Sequence, residues 1–137
     1  MAEQELPVME RNRCNCAALR KASRHMTLFY DAALEPLGYK CLRAARSMIG
    51  CGYGRDSIAL WLFQAEHPVP ADEKSGLHIC FTAPDSAAVD AFHAAALRAG
   101  GHDNGAPGLR PIYAPDYYAA FIIDPDGYRI EAYYGAG

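Results

Sequence analysis

The stretch YYAAFIIDPDGYRIEAYY, residues 117–134, decides how this chain is read. Two apolar runs of strand length flank Asp124-Pro125-Asp126-Gly127. Proline followed two residues later by glycine is β-turn chemistry, so the stretch reads as a hairpin. Upstream, LRPIYA (109–114) reads as a further strand and GHDNGAPG (101–108) as a turn-rich loop. Before that, SAAVDAFHAAALRAGG (86–101) has helical apolar spacing, with Asp85 or Ser86 as cap and Gly100-Gly101 as the stop. LHICFTA (77–83) precedes it as a strand. The order is β-α-β-β-β.

The same order occurs earlier. A helix is expected over 23–37, where Leu28, Phe29, Ala32, Ala33 and Leu37 recur at helical spacing and Gly38 ends the run. YKCLRAA, SMIGCGYG and SIALWLF then read as three strands separated by tight turns. A short strand over 13–19 would complete the unit. FYDAALEPLGY (29–39) and FHAAALRAGGH (92–102) align without a gap at an offset of 63, with Phe, Ala, Ala, Leu and Gly identical at five positions. Shared amphipathic-helix chemistry explains part of that match. The matching strand pattern around both helices makes duplication the better explanation. The expected organisation is a tail at 1–12, a first module at 13–66, a linker at 67–76 and a second module at 77–137.

Composition limits the function classes. A net charge of −3 with scattered Lys and Arg gives no footprint for nucleic acid. No run is long and apolar enough to span a membrane. Five cysteines at irregular spacing argue against a disulfide framework and for a reducing, cytoplasmic compartment.

The second half, with its DPDG-x-x-IE signature, resembles the C-terminal module of the glyoxalase / bleomycin-resistance / extradiol-dioxygenase superfamily, also called the vicinal-oxygen-chelate superfamily. FYDAALEPLGY resembles the helix of its first module. The resemblance implies an α+β fold in which two tandem βαβββ modules form one curved eight-stranded mixed sheet. It also implies metal ligands on the first and last strands of each module. His78 and Glu131 occupy those positions in the second module, and Glu131 is the expected catalytic residue. In the first module the offset of 63 puts Asn15 at the His position, or Cys16 if the strand slips by one, and Trp61 stands where a glyoxalase has Glu. Asn is a weak ligand and indole has no lone pair to offer.

Two functions follow from the resemblance. One is a metal-dependent enzyme, lyase or dioxygenase, using Zn, Ni, Mn or Fe(II) on a small oxygen-rich substrate. The other is a metal-free protein that sequesters a small molecule, for which an indole in the cavity would be a stacking surface. Trp61, Arg110, Tyr113 and Tyr118 are the candidate ligand-contacting residues; alternation allows only one of Tyr117 and Tyr118 to line the pocket. A homodimer is expected, since a half-barrel of this kind leaves sheet edges and an open cleft to cover.

Overall fold

The computed structural model describes residues 24–44, 50–63 and 65–135. The first unit begins with α1 (Arg24–Leu34), which tightens into a 3-10 turn at Glu35–Leu37. Three antiparallel strands follow: β1 (Lys40–Ala44), β2 (Gly50–Gly54) and β3 (Ile58–Phe63), in the order β1-β2-β3. The second unit is β4 (His78–Thr82), α2 (Ser86–Arg98), β5 (His102–Leu109), β6 (Tyr118–Ile123) and β7 (Arg129–Tyr134). Its sheet order is β4-β7-β6-β5, with β4 and β7 parallel and the other pairs antiparallel.

The described residues therefore hold seven strands in two sheets of three and four, not one eight-stranded sheet. The strand expected over 13–19 lies outside them. A second correction concerns β5. The strand is HDNGAPGL, and the expected strand LRPIYA is mostly turn. Turn-rich composition misled the reading because β5 is an edge strand, where a proline is tolerated and register shifts at Gly105 absorb the irregularity. A third concerns cysteine: Cys41 and Cys51 form a disulfide, because the β1–β2 hairpin brings their Cα atoms to 5.8 Å.

Both helices lie against one side of the sheets. Phe29, Tyr30, Ala33 and Leu34 of α1 and Val89, Phe92 and Ala96 of α2 share a core with Leu60, Leu62, Ile122 and Ile130. Each large apolar side chain removed from water there contributes about 1.5–3 kcal/mol. Alternation leaves the other side of β4, β6 and β7 free of helices. His78, Cys80, Glu131, Tyr133, Ala119 and Phe121 face that way, as the pairings Cys80 with Glu131 and Glu131 with Phe121 require.

The helix ends correct the repeat. The Gly38 amide donates to Glu35 and the Tyr39 amide to Leu34; the Gly100 amide donates to Leu97 and the Gly101 amide to Ala96. Gly38 (φ 81°) and Gly100 (φ 100°) supply the left-handed residue. Matching cap to cap gives an offset of 62, since 100 minus 38 is 62. The starts of β1 and β5, at 40 and 102, agree. At that offset the sequence counterpart of His78 is Cys16 rather than Asn15; both lie outside the described residues.

Two sets of polar contacts join the units. Asp124, the first residue of the DPDG turn, is buried and accepts hydrogen bonds from the Tyr30 hydroxyl (2.7 Å) and from the Asp126 and Tyr128 amides (2.9 Å each). Arg55, at the β2–β3 turn, donates to the carbonyls of Leu37 and Thr82 and lies over the Tyr39 ring. Tyr30→Phe removes the side-chain donor to the buried Asp124. It should destabilise the fold by about 1.5–3 kcal/mol, the range for a hydrogen bond to a charged group. Urea denaturation should show this as a lower midpoint at unchanged slope.

Candidate functional site

Glu131 sits in the middle of β7 and is only 5 % exposed, although it points away from the helices. Burial of an unpaired carboxylate would be strongly unfavourable. Here both oxygens are engaged. Oε2 is 2.7 Å from His78 Nε2 on β4, and Oε1 accepts a 2.6 Å hydrogen bond from the Tyr117 hydroxyl. The Tyr117 ring stacks on Tyr133 at 4.2 Å between centroids and meets Tyr113 at 5.1 Å. The His78 ring lies 5.9 Å from Phe121, and the Arg110 guanidinium lies over the Phe121 ring, 5.4 Å from its centre. The result is a carboxylate and an imidazole set among aromatic rings.

Electrostatics follow from this packing. Burial pushes the Glu131 carboxyl up, but the hydrogen bonds from His78 and Tyr117 outweigh it and hold the group below its usual range. Burial, followed by the Glu131 charge, pushes the Cys80 thiol up to about 12. At neutral pH Cys80 is a protonated neighbour rather than a thiolate nucleophile. The Tyr117 hydroxyl is raised by burial and by its bond to Glu131, so it remains a donor.

The expected site residues divide. His78 and Glu131 converge. Arg110 and Tyr113 reach the same cluster through Phe121 and Tyr117, although Arg110 also donates to the Ala106 and Leu109 carbonyls. Trp61 belongs to the other sheet, on its helix-free side, where its ring covers Gly52: a β-carbon there would come within 3.2 Å of it. Tyr118 is a correction. Its hydroxyl bonds Asp90 of α2 at 2.6 Å, so it lies on the helix side, and Tyr117 takes the place expected for it. Counting back from the turn could have found this, because Phe121 pairs with Glu131 and odd-numbered residues of the run therefore share its side. His93, on α2, is mostly covered and bonds Asp103 at 2.9 Å.

The fit to a divalent metal can be judged from donor chemistry. Among the described residues no group of three or more His, Cys, Asp and Glu side chains is placed to hold one. His78 and Glu131 are two donors, hydrogen-bonded to each other, and the second Glu131 oxygen is taken by Tyr117. Catalytic metal sites ordinarily supply three protein ligands. The described residues do not fit the group.

No family model matches the chain, and no curated protein matches it. Solved structures do. A glyoxalase/bleomycin resistance protein from Albidiferax ferrireducens T118 is 26 % identical, with a TM-score of 0.71, covering 90 % of this chain and 98 % of that one. This chain belongs to the glyoxalase / bleomycin-resistance / extradiol-dioxygenase superfamily. Two further superfamily structures share the fold. One is a glyoxalase/bleomycin resistance protein/dioxygenase family enzyme from Burkholderia phytofirmans PsJN, 17 % identical with a TM-score of 0.63 over 88 % of this chain and 94 % of that one. The other is a fosfomycin resistance protein, FosX, from Listeria monocytogenes, solved with Mn(II), 12 % identical with a TM-score of 0.61 over 90 % and 88 %. No helix among the described residues is long and apolar enough to cross a membrane.

The pH dependence of stability can be signed from these shifts. The folded pKa of Glu131 is depressed, so its contribution is present above the unfolded value of about 4.3 and is lost as pH falls through the folded one. Asp124 has the opposite sign: burial raises it despite its three donors, so its ionisation weakens the fold as pH rises through that value. Glu131→Gln should therefore lower the melting temperature near neutrality. The gap to wild type should narrow on acidification below about pH 4, as followed by thermal melts across an acid series.

Proposed function

We propose that this chain is a small-molecule-binding protein of the bleomycin-resistance kind, whose ligand lies against Glu131, His78 and the surrounding rings without a metal. The observation that carries this reading is that both oxygens of the buried Glu131 are already satisfied by protein donors, while the rings of Tyr113, Tyr117, Tyr133 and Phe121 supply apolar surface beside them. Such a mix, mostly aromatic with a few placed polar groups, is what small-ligand sites are made of. A flat ligand would gain stacking on the tyrosines, with the exposed edge of the imidazole beside it.

The metal-dependent alternative, a lyase or dioxygenase using Zn, Ni, Mn or Fe(II), is favoured by His78 and Glu131 standing together at the positions that the resemblance gives to ligands. It requires at least one donor beyond the described residues. A homodimer belongs to the same proposal as an expectation of the family.

Calorimetric titration separates the readings. The chelator-treated protein should bind none of Zn, Ni, Mn and Fe(II) tightly. It should bind 2-cyano-4-nitrophenol, a flat aromatic probe, and Tyr133→Ala should weaken that binding about tenfold, equivalent to about 1.4 kcal/mol of lost stacking. Tight binding of one metal per chain by wild type would overturn the reading in favour of the enzyme.

A further inference from the structure

The His78–Glu131 pair has a feature that ligand binding alone does not use. The bond to Glu131 is made through Nε2, and Nδ1 has no hydrogen-bond partner among the described residues. A carboxylate only accepts, and Glu131 already accepts from Tyr117 on its other oxygen, so the proton shared with His78 belongs on Nε2. In its neutral form the imidazole then carries its lone pair on Nδ1. The side chain is 37 % exposed, so that lone pair is within reach of a bound molecule, whereas the carboxylate beneath it is not. This is the arrangement of an oriented base: a proton acceptor fixed in tautomer and angle by a buried anion, which also stabilises the imidazolium once it forms. Tyr117 fixes the carboxylate in turn. The Phe121 ring at 5.9 Å from the imidazole, and the stacked Tyr117 and Tyr133 rings at the other oxygen of the carboxylate, give a flat molecule a surface to lie on while its C–H edge meets Nδ1.

We infer that His78, oriented by Glu131, is a metal-independent general base for proton abstraction from flat carbon acids bound in this site. The inference rests on the binding reading above. In the expected step Nδ1 takes a proton from carbon, and the C–H electron pair moves into the substrate, where it expels or charges an oxygen. The imidazolium then returns the proton to water. No oxidant or reductant is needed. In this account His78 is the catalytic residue and Glu131 a positioning residue, the reverse of the role that the sequence suggests for Glu131.

5-Nitrobenzisoxazole tests this without knowledge of the natural ligand. Removal of its ring C–H proton forms a nitrile, breaks the N–O bond and releases 2-cyano-4-nitrophenolate, whose colour reports the rate. Wild-type protein in excess EDTA should accelerate the reaction at least a hundredfold over an equal concentration of free imidazole, within the range for a positioned base. His78→Gln should fall to the background rate while still binding 2-cyano-4-nitrophenol. Glu131→Gln should lower kcat at least tenfold with KM little changed, since it alters the base and not the ring surface. Tyr133→Ala should raise KM instead. If wild type binds the phenol but gives no acceleration, or if His78→Gln keeps the rate, the base is wrong and the binding reading stands. If the phenol does not bind at all, the binding reading fails as well. Activity that EDTA abolishes and Zn or Mn restores would overturn the inference in favour of metal chemistry.

Discussion

The hairpin that turns at Asp124 is the constraint on which the rest of this structure depends. Its turn fixes the register that pairs Phe121 with Glu131, and strand alternation then assigns every side chain of β6 and β7 to a side. A slip of one residue would put Glu131 among the helices and Ile130 in solvent. The same turn is tied to α1 through the Tyr30–Asp124 hydrogen bond, across 94 residues of sequence. Gly127, at a φ of 97°, supplies the left-handed residue that closes it, a conformation disfavoured for any residue with a β-carbon. One tight turn thus holds the fold together and aims the site.

From that register the site follows by the ordinary demands of burial. Glu131 is enclosed by neighbours on both adjoining strands, and enclosure obliges its oxygens to find donors. His78, placed by the parallel β4–β7 pairing, and Tyr117, at the mouth of β6, are those donors. Once satisfied in this way the carboxylate is no longer an open ligand position. This is the physical reason for preferring organic ligand recognition, and base chemistry by the imidazole, over a metal centre built from the described residues.

Much of this was legible in the sequence. The DPDG turn, the two helices and their glycine stops, and the pairing of His78 with Glu131 follow from turn chemistry, periodicity and the family resemblance. What was not legible depended on neighbours rather than on composition. HDNGAPGL reads as loop because its Gly and Pro content is that of a turn, yet at a sheet edge the partner strand alone is enough to hold it extended. Tyr117 was passed over for Tyr118 because the two differ only in parity, which a hairpin register fixes and a local pattern does not. The repeat offset was one residue too long because identical Phe, Ala and Leu residues outweighed the helix caps in the alignment, while hydrogen bonding at the caps sets it at 62. The Cys41–Cys51 pair was invisible to spacing, since proximity there comes from strand pairing across a hairpin.

The state of the His78 imidazole is the most direct test of this account. Two-dimensional 1H–15N NMR of the ring nitrogens, with EDTA present and at a pH where the ring is in its neutral form, distinguishes the tautomers. A proton is expected on Nε2, shifted downfield by its bond to the Glu131 carboxylate and lost as a distinct signal in Glu131→Gln, with Nδ1 unprotonated. A proton resident on Nδ1, or a ring whose signals are unchanged by the loss of the carboxylate, would contradict it.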